Sequence, residues 1–140
     1  MNRQGTNVLG TGVDIIETAR IQDSLDKFGD RFLNRCFWPE EVAYCNGMKF
    51  PALHFAARFA AKEAISKAFG TGIGHHLGWK DMEIRKRDSG EPYAVLHGKG
   101  AELAAARGVT TIFVSLSHCK DYAAAQAVIA GREPSPGAKQ

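Results

Sequence analysis

Cysteine is scarce in this sequence: Cys36, Cys45 and Cys119 are the only three in 140 residues, and no two of them form a C-x-x-C pair. An odd, scattered set excludes a closed disulfide framework, so the thiols read as reduced and the compartment as a reducing one. No cysteine and histidine spacing suggests zinc, since only His75 and His76 among the five histidines are neighbours. Apolar runs are short. None approaches the ~18–20 residues of a membrane span, and residues 1–8 lack the apolar core of a signal peptide. The expectation is a cytoplasmic protein with no membrane partner. A large excess of one charge is missing as well, because 18 Lys and Arg against 15 Asp and Glu leave a net +3. That balance disfavours a nucleic-acid binder and leaves an anionic ligand or an acidic partner.

Familiar nucleotide and hydrolase motifs are absent too. Gly10-Thr11-Gly12 lacks the third glycine of a dinucleotide fingerprint, with Ile15 in its place, and Gly98-Lys99-Gly100 is not followed by the Ser or Thr of a P-loop. No G-x-S-x-G supports a serine hydrolase. What is present suffices for one core: 44% of residues are hydrophobic and 24% charged, near the globular average. A single domain over 1–130 is expected. Residues 131–140, with two prolines, two glycines and no apolar period, read as a disordered tail.

Periodicity then orders the elements. A β-branched run over 7–16 predicts a strand in which Val13 and Ile15 share one face and Asp14 takes the other. From Thr18, a possible N-cap, Ile21, Leu25, Phe28 and Phe32 fall on one helical stripe, predicting a helix to Cys36. Arg20, Lys27, Arg31 and Arg35 align on its polar side beside a row of Asp23, Asp26 and Asp30. Such sorting is either a solvated, ion-paired face or a docking surface for an acidic helix. Pro39 opens a short helix through Cys45. The alanine-rich stretch 53–69 gives the strongest helix signal, and Gly70-Thr71-Gly72-Ile73-Gly74 stops it. A β-hairpin over 82–97, a short helix over 101–107, a strand over 110–117 and an antiparallel partner over 123–130 complete the chain.

Three candidates for chemistry emerge. Glu63 and Lys67 lie about 40° apart on their helix at 100° per residue, beside Ala56 and Ala60, so an acid and a base share a face of small side chains. An ordinary i,i+4 pair gives the same spacing, but the alanine floor suggests a pocket wall. Asp14 ends a strand flanked by Gly10 and Gly12, and one carboxylate there with one from the Glu63 helix supplies two hard oxygen ligands, sufficient for Mg²⁺ shared with substrate phosphates. His118, at a strand end after Ser115-Leu116-Ser117, either binds a phosphate, relays a proton or is an ordinary surface histidine.

Taken together, Gly12-Val13-Asp14-Ile15 with Arg20-Ile21, then Phe59-Ala60-Ala61-Lys62-Glu63-Ala64-Ile65-Ser66-Lys67-Ala68-Phe69-Gly70-Thr71-Gly72-Ile73-Gly74, then Ser115-Leu116-Ser117-His118 resemble the three signatures of the holo-[acyl-carrier-protein] synthase family of 4′-phosphopantetheinyl transferases. The resemblance runs in order from about Gly10 to Ile129. It implies an α+β fold with an antiparallel sheet packed against a long central helix, assembled as a homotrimer with active sites at subunit interfaces. The implied reaction belongs to fatty acid and lipid biosynthesis and moves 4′-phosphopantetheine from coenzyme A to a serine of apo acyl carrier protein. By motif position, Asp14 and Glu63 would be the Mg²⁺ ligands, Lys67 would reach the pyrophosphate, and His118 would lie at the coenzyme A site. Gly70, Thr71 and Gly72 would shape the wall around it. Either Glu63 or His118 could take the serine proton. Arg20, Lys27, Arg31 and Arg35 would dock the acidic carrier protein. Cys119 stands where the family often has a hydroxyl residue, and Arg58-Phe59 where many members have a tryptophan. The alternative is a non-catalytic module binding coenzyme A or a carrier protein, and the joint presence of Asp14, Glu63 and Lys67 argues against it.

Overall fold

The computed structural model describes residues 5–134. Strand β1 (Asn7–Glu17) leads through α1 (Thr18–Phe28), α2 (Asp30–Cys36) and α3 (Pro39–Asn46) into the long helix α4 (Pro51–Phe69). A 3₁₀ turn (Trp79–Asp81), the hairpin β2 (Met82–Lys86) and β3 (Pro92–Leu96), helix α5 (Gly98–Arg107), and strands β4 (Val109–His118) and β5 (Tyr122–Gly131) follow. The main sheet is antiparallel in the order β1-β5-β4, with Asp14 opposite Ala125 and Leu116 opposite the same residue from the other side. Helix α4 lies across one face of it.

Alanine decides that packing. Ala56, Ala60, Ala61 and Ala64 on α4 are fully buried; Ala125 and Ala127 of β5 share a core cluster with the last three, and Ala123 with Ala56. Short side chains let a helix and a sheet approach closely, and two glycines bring β1 closer still. A Cβ on Gly12 would stand 1.9 Å from the Ala64 carbonyl oxygen, and one on Gly10 would stand 2.1 Å from that of Ala68. No other residue type fits there without moving the strand. The absence of a dinucleotide fingerprint is thereby explained, since these glycines make room for a helix backbone rather than for a phosphate.

Behind α4, a buried ion pair ties the helical layer together. Lys62 Nζ donates to Glu41 Oε1 at 2.8 Å and to the Cys36 carbonyl at 2.6 Å. Glu41 also accepts from the Trp38 and Ile84 backbone N–H groups, each at 2.8 Å. One carboxylate thus joins α3, α4 and β2, with its lone pairs satisfied as a buried charge requires.

Several expectations need correction. The helix foreseen over 18–36 is two, broken at Gly29, whose φ of +52° only glycine adopts cheaply. Glu17, not Thr18, occupies the N-cap position, and the Thr18 hydroxyl is buried without a hydrogen-bond partner. Ala56 and Ala60 form the seam with the sheet, not a pocket wall. As expected, Val13 and Ile15 share a face opposite to Asp14; it is the outer one, where each is about two-thirds exposed. β5 runs through Gly131, one residue into the segment read as tail, and residues 135–140 lie outside the described residues.

Candidate active site

Because alternate residues of a strand take opposite faces, turning Val13 and Ile15 outward turns Asp14 toward α4. There it meets Lys67, whose ammonium donates to Asp14 Oδ1 and to the Val13 carbonyl, both at 3.1 Å. β1 is an edge strand, so Lys67 wraps the open side of the sheet and occupies a carbonyl that no neighbouring strand uses. Glu63 sits one turn earlier on α4. Partial burial pushes its carboxyl above the usual range, the Asp14 charge adds to that, and Lys67 offsets part of it. Asp14, Glu63 and Lys67 therefore form one electrostatic unit, the first two from sequence positions nearly fifty residues apart.

The end of α4 closes beside this unit. Gly70 takes a left-handed φ of +79° and Gly72 one of +65°. The Thr71 and Gly72 N–H groups both turn back to the Ser66 carbonyl, at 3.1 and 3.2 Å, and Thr71 Oγ1 donates to the Gly72 carbonyl at 2.8 Å. The glycine cluster is thus a helix cap. Among the described residues no group of three or more His, Cys, Asp or Glu could hold a metal. Two carboxylates without a third suit a hard divalent cation that takes its remaining ligands from phosphate and water.

His118 lies elsewhere. Its ring meets His54 edge to face at 5.1 Å between centroids. Since His54 precedes Glu63 by nine residues on α4, about 13 Å of helix axis separates the two groups. A cavity of about 190 Å³ surrounds the histidines, lined also by Tyr44, Arg58, Lys86, Gly90 and Pro92. Tyr44 organises the cations: Arg58 lies 4.3 Å over its ring, and Lys86 Nζ donates to its hydroxyl at 2.9 Å. Arg58 is only 5% exposed, and its Nε has no hydrogen-bond partner. No carboxylate lines the cavity. A buried guanidinium with one unpartnered N–H, set among other cations, suits an anion.

This cleft is what the sequence reasoning missed. Its residues come from α3, α4, the β2–β3 hairpin and β4, so no periodicity collects them. The available signal was Arg58 itself, a long basic side chain in an alanine-rich helix. A roomier groove of about 540 Å³, near Phe50, Pro51 and Leu53, brings together no acid and base.

Arg20 and Lys27 stay exposed on α1, and Arg31 and Arg35 on α2. None of the four joins an ion pair among the described residues, so the face is solvated as one of the two readings expects, without the ion pairs that reading included. The break at Gly29 sets the two pairs on separate helices. Cys119 is exposed, and its N–H closes the β4–β5 turn on the Tyr122 carbonyl.

An α+β protein with paired carboxylates and a lysine at a sheet edge, plus a cationic cleft, has the parts of an enzyme that works on phosphate esters. Residues 10–127 match the model of the 4′-phosphopantetheinyl transferase superfamily, and the chain belongs to that family. The holo-[acyl-carrier-protein] synthase of Koribacter versatilis is 44% identical over 122 residues, which is 87% of this chain and 98% of that one. The synthase of Helicobacter pylori, solved with coenzyme A, superposes with a TM-score of 0.77 at 32% identity, covering 85% of this chain and 98% of that one. The Bacillus anthracis synthase, solved with CoA (3′,5′-ADP), gives a TM-score of 0.74 at 36% identity over 89% of this chain and 97% of that one.

Proposed function

We propose that this chain transfers 4′-phosphopantetheine from coenzyme A to a serine hydroxyl of an apo acyl carrier protein, releasing adenosine 3′,5′-bisphosphate. The observation that carries the proposal is the meeting of Asp14, Glu63 and Lys67 at the glycine–alanine seam. Relatives bearing the synthase name along nearly their whole length support the substrate pair.

In this reaction the serine Oγ attacks the pyrophosphate phosphorus that carries pantetheine. The bond from that phosphorus to the bridging oxygen breaks, and the leaving phosphate departs on the adenosine. Asp14 and Glu63 would hold a magnesium ion, which when bound supplies charge neutralisation to the pyrophosphate. Lys67, half exposed on the sheet edge, turns its ammonium to the pyrophosphate oxygens. The serine proton goes to the oxygen of the Glu63 carboxylate that is left free of the metal. Gly70 and Gly72, which carry no side chain, and Thr71, whose hydroxyl is turned back onto the Gly72 carbonyl, would shape the wall of the coenzyme A site beyond the end of α4. His118, with Arg58 and Lys86, receives the phosphates of the nucleotide half.

A homotrimer accounts for the distance between the two halves of the site. The outer sheet face carries Val13, Ile15 and Phe113, each more than half exposed, an apolar patch suited to further copies of the chain. In such a ring the cationic cleft of one copy faces the carboxylates of the next. Arg20, Lys27, Arg31 and Arg35 present a basic, unpaired surface to the acidic carrier protein, acting through steering and orientation. Three unpaired thiols suit a reducing, cytoplasmic setting, and among the described residues no helix is long and apolar enough to cross a membrane.

The test is the intact mass of an apo acyl carrier protein incubated with the chain, coenzyme A and magnesium. A gain of about 340 Da, the phosphopantetheine group of the proposed transfer, abolished by EDTA, supports both the activity and the metal. No gain with any of several carrier proteins overturns the transferase reading in favour of a binding module.

A further inference from the structure

The cleft holds a histidine that the mechanism does not use. His54 lies on α4 one turn before Arg58, so the two side chains leave the helix on the same face. Its ring packs edge to face on His118 from β4 and stands 6.1 Å from Tyr44 of α3. The charged and titratable groups around it are Tyr44, Arg58, Lys86 of β2 and His118, with no carboxylate among them. Burial holds His54 below the usual imidazole range, and His118, Arg58 and Lys86 each push the same way.

We infer that His54 takes up a proton when the phosphates of a nucleoside bisphosphate enter the cleft, which makes it a second phosphate-binding histidine beside His118. The inference rests on the reading that the nucleotide half of coenzyme A occupies this cavity. The physical reason is a reversal of sign. In the free protein a charged His54 faces Arg58, Lys86 and His118, with no carboxylate among the lining residues, so its neutral ring is favoured. A phosphate dianion supplies the missing counter-charge and a set of strong acceptor oxygens, which favour the protonated ring. Nucleotide affinity must then depend on pH through His54.

Titration calorimetry of the full chain with adenosine 3′,5′-bisphosphate tests this, at fixed magnesium and between pH 6.5 and 8. Buffers of different ionisation enthalpy give the protons taken up per nucleotide. The wild type should take up more protons than the His54 variants, by up to about one per nucleotide, and its Kd should tighten as pH falls by up to about tenfold per unit for that proton. His54→Gln should remove that proton and flatten the pH dependence. His54→Phe, which keeps a ring against His118 without a titrating nitrogen, should do the same if packing alone is not the cause.

Equal uptake in the wild type and both variants overturns the role of His54. Lys86→Ala separates that failure from failure of the underlying reading. If it weakens the nucleotide while His54→Gln and His54→Phe leave the proton count unchanged, only the His54 inference falls. If Lys86→Ala has no effect on Kd, or the nucleotide does not bind at any pH, the nucleotide is not in this cleft and the inference falls with the placement.

Discussion

Gly12→Ala is the sharpest single test of how the site is held. The new Cβ would lie 1.9 Å from the Ala64 carbonyl oxygen and 2.8 Å from the Ala68 nitrogen, both backbone atoms of α4. Ordinary contact begins near 3.4 Å, so the strand must retreat by about 1.5 Å in a seam packed to crystalline density. Overpacking of this kind costs about 1–3 kcal/mol, or a Tm lower by roughly 3–10 °C for a chain of this length. Catalysis should suffer more. Asp14 is two residues away on the same strand, and its 3.1 Å bond to Lys67 cannot survive a retreat of that size. Displacing a reacting group by an ångström can cost ~10²-fold, so kcat should fall by about two orders of magnitude while the fold persists. The assay is transfer to apo carrier protein at saturating substrates, with circular dichroism melts beside it. Gly5→Ala, which meets nothing within 4 Å, is the control. A Gly12→Ala protein with near wild-type kcat would refute the claim that close approach of β1 to α4 builds the site.

Breaking the buried pair with Lys62→Met should destabilise the chain by about 3–5 kcal/mol in chemical denaturation, because it strands the Glu41 carboxylate. Adding Glu41→Leu should recover only part, since the Trp38 and Ile84 N–H groups then lose their acceptor. The raised Glu63 carboxyl gives a signed pH dependence. Its contribution to metal-free stability is present at low pH and is lost as pH rises through the folded value, so EDTA melts should show Glu63→Gln removing that decline. Conversely, the magnesium concentration for half-maximal rate should climb about tenfold per pH unit once pH falls below the Glu63 value. Finally, if each site joins the cleft of one copy to the carboxylates of the next, mixing inactive Asp14→Ala and His118→Ala chains through unfolding and refolding should restore about a quarter of wild-type activity, the random share of interfaces with both halves intact. No recovery would mean that each chain keeps its site to itself.

The elements most legible in the sequence were those whose signal is periodic. β1, α4, the hairpin and the β4–β5 pair follow from alternation and the 3.6 repeat, and all are found close to the expected bounds. The break at Gly29 escaped because Ile21, Leu25, Phe28 and Phe32 continue one stripe across it, while a positive φ leaves no mark on periodicity. Alternation also separates two faces without saying which is inside. Val13 and Ile15 look like core residues until the glycines at 10 and 12 are seen to face the helix. The Asp14, Glu63 and Lys67 cluster was legible since two of its members share a helix turn and the third is marked by its glycines. The cleft of His54, Arg58, Lys86 and His118 was not, for it exists only after four elements are folded together.

On the proposed trimer, β1 would place assembly and chemistry on alternate residues of one strand. Thr11, Val13 and Ile15 face outward, while Gly10, Gly12 and Asp14 face α4. A slip of one residue in its pairing with β5 would exchange these sets, driving Val13 into backbone atoms of α4 and turning Asp14 out of reach of Lys67. Register is fixed by the seam that admits no Cβ, and in the proposed trimer it would be fixed a second time by a further copy covering the apolar face. The two constraints reinforce each other. Whatever holds the outer face in place also holds Asp14 against α4, so loss of self-association should cost activity before it costs the fold of the chain.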